Sequence, residues 1–142
     1  MVKVCFLSIA SAFLSFYSFS IDTLKVEKEI YNKINAYRVK QGKSKLTYSS
    51  KDVGSCRKHS LFMGTNWKLV HVSSLSQVNA NAEIIQQNYT MSRNEVETAK
   101  SVLEVFINSA PHKKIIESDY KEISIGVFIT ADDDLWVTVR FY

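Results

Sequence analysis

Along this 142-residue chain the spacing of apolar positions changes from a period near four to a period of two, and the change divides it into a helical part and a strand part. Leu24, Val26, Ile30, Ile34 and Tyr37 recur at helical spacing behind Asp22 and Thr23, either of which can cap a first helix, and Gly42 supplies its stop. Lys45 to Tyr48 reads as a short extended piece. Ser49-x-x-Asp52 then has the spacing of a cap on a second helix, whose buried stripe is Val53, Cys56, Ser60 and Met63 and whose stop is Gly64-Thr65-Asn66. From Trp67 to Met91 periodicity is weak, which predicts an irregular connection with short extended pieces, a usual place for functional groups. A third helix is predicted from Ser92, with Val96, Ala99, Leu103 and Phe106 on one face and Pro111 close to its end. In the tail Ile123, Ile125, Val127 and Ile129 alternate with Ser124, Gly126, Phe128 and Thr130. Asp132-Asp133-Asp134 makes a turn, and Leu135 to Tyr142 returns as a second strand. Helices first and a hairpin last predict an α+β domain with an antiparallel sheet.

The first 20 residues stand apart from this pattern. One early charge, Lys3, precedes the apolar run from Val4 to Leu14, and Ser18-Phe19-Ser20 places small residues at the third-last and last positions before Ile21, as a signal-peptidase site does. The reading is a signal peptide over 1–20 and a single domain over 21–142. The apolar stretch to Phe19 is about 16 residues, short of the roughly 20 that cross a bilayer, which favours cleavage over an uncleaved anchor. Removing it leaves Cys56 as the only thiol, so packing and not disulfides must hold the domain together, and its place on the apolar stripe predicts a buried, inert side chain. The net charge of +4 is spread among acids without a basic run, which argues against nucleic acid as a partner.

Read in order, these landmarks resemble the CAP superfamily (SCP-like domains), in the form found in secreted bacterial proteins. Ile30 to Arg38 with Gly42 and Leu46 is similar to that family's opening "lvN..R...g...L". Cys56 to Met63 resembles "A..HA..M", Ala82-Glu83-Ile84-Ile85 resembles "GENi", and Phe106 to Ile116 is similar to "WmnSpgHr.niL". Lys121 to Val127 resembles "teiGvGv", and Leu135 to Val139 the closing strand. The chain departs at Ala82 and Ile84, which replace the glycine and asparagine around the glutamate, and at Ser109, where animal and plant members place a second glutamate. The resemblance implies a three-layer α-β-α sandwich with a central antiparallel sheet. It also implies a cleft in which His71, Glu83 and His112 meet, with Glu122 as a fourth candidate ligand for a divalent cation such as zinc.

Three functions are compatible with that cleft. The first is an exported, non-enzymatic binding module facing an extracellular protein, a cell-wall component or a lipid, with metal binding accessory. The second is a metal-dependent hydrolase of peptide or cell-wall bonds, with Glu83 as general base. The third is a lipid or sterol carrier. No nucleophile motif is visible. His59, beside the Cys56/Met63 stripe, is expected to be a packed, hydrogen-bonded structural residue, and Trp67 and Trp136 are expected in the core.

Overall fold

The computed structural model describes residues 20–90 and 94–142; the expected signal segment, apart from Ser20, lies outside the described residues, as does Ser92. Helix α1 spans Thr23–Lys40 and is capped by Asp22, whose Oδ1 accepts from Leu24 N at 3.0 Å. Strand β1 is Thr47–Tyr48 and α2 is Val53–Asn66; a 3-10 turn at Leu75–Val78 then leads to β2, Ala82–Tyr89. Helices α3, Glu95–Asn108, and α4, Ala110–Ile116, precede the hairpin β3, Glu122–Ile129, and β4, Asp134–Phe141.

The sheet order is β1-β3-β4-β2. The three long strands are antiparallel, as expected, while the two-residue β1 runs parallel to β3, so the sheet as a whole is mixed. Strand alternation gives the sheet two unlike faces. One carries Ala82, Ile84, Ile123, Ile125, Val127, Val137, Val139 and Phe141 against Val26, Ile30 and Ile34 of α1 and Ala99, Val102 and Phe106 of α3, which together form the main core. The other carries Glu83, Ser124, Gly126, Trp136, Thr138 and Arg140 and is covered by α2. At Gly126 a Cβ would stand 2.2 Å from the backbone of Cys56 and Arg57, so glycine is what lets α2 approach the sheet this closely. Ser60 Oγ, bonded to Gly126 O at 2.9 Å and to Thr138 Oγ1 at 2.8 Å, ties the same crossing.

Several local expectations differ from the structure. Ser49 does not cap α2: its backbone N–H donates to Ile123 O and its carbonyl accepts from Ser124 Oγ, extending the β1–β3 pairing. Gly64 does not stop α2. It lies inside the helix beneath Phe128 and Trp136, where a side chain would collide, and the helix ends at Trp67 in the left-handed conformation (φ 49°). Trp67 is therefore mostly exposed, edge-on to buried Trp136, and not a core residue. The connection from Trp67 to Met91 contains the eight-residue strand β2. Pro111 opens α4 instead of closing α3, as suits a residue without a backbone N–H.

Two residues of the opening motif prove to be scaffold. Asn35 exchanges hydrogen bonds with Leu46 N (2.8 Å) and Leu46 O (3.0 Å) and so pins β1 to α1. Arg38, fully buried, donates to the carbonyls of Ser44, Ile116 and Ser118, binding the end of α1 to the end of α4.

Candidate functional site

At the β2 edge of the sheet three chain segments meet. Glu83 projects from β2 toward the α2 side, His71 comes from the connection after α2, and His112 comes from the first turn of α4. Glu83 is the centre of the arrangement, with a side chain only 1% exposed and both oxygens committed. Oε1 accepts from Val72 N at 2.9 Å and lies 3.0 Å from His71 Nδ1, while Oε2 accepts from Arg140 Nε at 2.9 Å. Burial alone would raise the Glu83 pKa, but the hydrogen bonds from the Val72 amide, Arg140 and His71 outweigh it and hold the carboxyl below its usual range.

Arg140 is buried on β4 between two acids. Its Nη1 donates to Asp52 Oδ2 at 2.9 Å and to Ser55 Oγ at 2.7 Å, and Tyr142 donates its hydroxyl to the same Asp52 oxygen at 2.6 Å. The result is a continuous chain, Tyr142–Asp52–Arg140–Glu83–His71, buried at Arg140 and Glu83 and reaching solvent at His71, in which each charge has a partner. Cys56 lies against it, fully buried, and burial pushes its thiol pKa far up, so it is inert as a nucleophile. His59 is structural: its Nε2 lies 2.8 Å from Val70 O, which can only accept, so Nε2 carries the proton, and its ring stacks on Phe62.

Since Glu83 is ionised, His71 Nδ1 carries the shared proton and its Nε2 remains available on a side chain that is 57% exposed. A carboxylate that orients an imidazole in this way is the usual outer partner of a metal-binding histidine. His112 is packed edge-on to Phe106, and its buried Nδ1 has no hydrogen-bond partner among the described residues. Burial lowers its pKa, and electrostatic interaction with His71 lowers it further. Glu83 thus positions His71, with both of its own oxygens engaged by hydrogen-bond donors. Among the described residues no three His, Cys, Asp or Glu side chains converge as a ready cage. Glu122, at the start of β3, lines a separate hollow with Asp52, Asn79 and Tyr142.

Of the four candidate ligands, the fold brings His71 against Glu83 at the β2 edge, sets His112 in the first turn of α4, and places Glu122 in a separate hollow. Asp52, Arg140 and Tyr142 were not singled out from the sequence. The available signal was Arg140 itself, a charge in the middle of the apolar run Val137 to Phe141, which demands buried acidic partners.

Comparison with known proteins agrees with this architecture. No curated protein sequence matches the chain. Among solved structures it is similar to an outer surface protein of Borrelia burgdorferi, with a TM-score of 0.68 and 18% identity over 85% of this chain and 95% of that one. It is also similar to an extracellular protein containing an SCP domain from Bacillus anthracis (TM-score 0.63, 16% identity, 84% of this chain) and to a cysteine-rich secretory protein from Staphylococcus aureus (TM-score 0.60, 17% identity, 84% of this chain). The match spans only 41% and 39% of the length of those two proteins. At these identities the likeness is one of fold. The sequence profile of the cysteine-rich secretory protein family, CAP, matches residues 31–141, nearly the whole described domain, and the chain belongs to that family.

Proposed function

We propose that this chain is an exported binding domain, not an enzyme, which engages an extracellular partner through the cleft at the β2 edge. The observation that carries the reading is the state of Glu83. A general base needs an accessible oxygen and a pKa near the working pH, whereas Glu83 is 1% exposed, has both oxygens engaged and has a pKa held low by three donors. The hydrolase reading loses its base. The groups that the cleft offers to a partner are the outer nitrogen of His71 and the rim around it. Export is supported by the printed descriptions of the structural neighbours, which are outer-surface or extracellular proteins, and by the leader-like first 20 residues.

A divalent ion such as zinc is accessory in this scheme, held by His71 and His112. Its chemistry there is to cross-link two segments of the cleft wall and to compete with protons for the imidazoles, so affinity falls at acid pH. Calorimetric zinc titration of the wild type and of the His71→Ala/His112→Ala double variant tests the site. The expected result is a single acid-sensitive binding event lost in the double variant; unchanged stoichiometry in the variant removes the site. In parallel, zinc-loaded protein is expected to leave casein and peptidoglycan fragments intact. Cleavage that disappears on Glu83→Gln substitution would overturn the binding reading in favour of a hydrolase.

A further inference from the structure

On the opposite edge of the sheet, beside the short strand β1, a groove of about 400 Å3 lies between α1, β1 and the start of α2. Its volume is in the range of small-molecule sites. Leu24, Tyr31 and Tyr48 form apolar walls, the two tyrosine rings meeting edge-to-face at 5.5 Å, and Leu24 is largely exposed although nothing in the fold requires an apolar residue there.

The polar groups of the groove are biased toward donors. Glu27, at its floor, is buried and fully used: Oε1 accepts from Arg57 Nε at 2.8 Å and from Val127 N at 3.1 Å, and Oε2 accepts from Arg57 Nη2. This fork spends only one side of the Arg57 guanidinium. Its Nη1 group makes no hydrogen bond among the described residues, and the side chain is 43% exposed. The Tyr48 hydroxyl likewise has no hydrogen-bond partner among the described residues. Burial, followed by the nearby Glu27 charge, raises its pKa, so it stays protonated and able to donate. Lys28 adds an exposed cation on the same wall. Three residues with unspent donors, two of them cationic, thus line the slot beside Asn32, and its one acid is already neutralised.

We infer that this groove is a second ligand site that takes a small amphipathic anion, a carboxylate or sulfonate on an aromatic or short aliphatic body, with the anionic group on Arg57, Tyr48 and Lys28 and the body against Leu24 and Tyr31. The inference is independent of the cleft reading, because the groove and the cleft lie on opposite edges of the sheet.

The probe is 8-anilinonaphthalene-1-sulfonate, an aromatic anion whose fluorescence rises on leaving water, titrated into the folded chain. Saturable one-to-one binding is expected, displaced by octanoate and not by octylammonium. Lys28→Glu, at an exposed site, should weaken it about tenfold. Leu24→Asp should weaken it comparably while placing a helix-favouring acid in the first turn of α1, so the fold is kept and circular dichroism is unchanged. His71→Ala should bind as the wild type does. Binding that is unaffected by both groove variants, displacement by octylammonium as effective as by octanoate, or no saturable binding would overturn the inference.

Discussion

Glu83 and His112 respond to their surroundings in different ways. Glu83 is buried but supplied with three donors, so its folded pKa lies below that of the unfolded chain. Its contribution to stability is complete above the unfolded value and disappears as pH falls through the folded one. His112 is half-buried, its Nδ1 has no partner among the described residues, and burial holds its folded pKa below the ordinary 6.5 as well. Between these two values the unfolded chain binds a proton that the folded chain refuses, and stability therefore falls as pH drops below about 6.5. Both effects have the same sign. Thermal melts in chelator should show the melting temperature declining on acidification in an upper step from His112 and a lower step from Glu83, and His112→Gln should remove the upper step alone. A melting temperature that is flat through the upper range in the wild type contradicts the assignment of a buried, partnerless Nδ1 on His112. From the sequence, His71, Glu83 and His112 were placed only through the family resemblance, since residues scattered over some forty positions form no local pattern. The clamp on Glu83 was not foreseen, because which acids pair with Arg140 is decided by strand register and the approach of α2.

Among the elements, legibility followed how well each one separates its faces. α1, α3 and the β3–β4 hairpin keep most apolar residues on the buried side, with Leu24 and Val96, expected on the buried stripes, exposed at the helix starts, and their periodicity located them. β2 did not reveal itself because its buried positions include Glu83 and Gln86, which break the alternation that marks a strand. α2 was located and ends at Asn66, within the expected Gly64-Thr65-Asn66 stop, but Gly64 is not what ends it. Gly64 reads as a stop by type, whereas its role is to let the helix lie close under Phe128 and Trp136. Gly126 has the stricter requirement, since a methyl group there meets backbone and not a movable side chain. Gly126→Ala should force α2 away from β3 and destabilise the domain by about 1–3 kcal/mol or more, measured by urea unfolding. A loss within about 0.5 kcal/mol, the usual range for surface substitutions, would show that the α2–β3 contact is looser than described.

Across the whole molecule, the sheet separates two kinds of surface. Its β2 edge carries Glu83 and His71 backed by the Arg140–Asp52 ion pair, and its β1 edge carries the groove above the Glu27–Arg57 pair. No helix among the described residues is long and apolar enough to cross a membrane. The central claim of the proposed function is that His71 and His112, 41 positions apart in sequence, share one binding site while His59 is tied into the scaffold. Imidazole NMR resonances followed during zinc addition address this directly. The account predicts that the His71 and His112 signals shift or broaden together at one common midpoint while His59 stays unmoved. Perturbation of His71 and His112 at separate midpoints, or of His59 in place of His112, would contradict it.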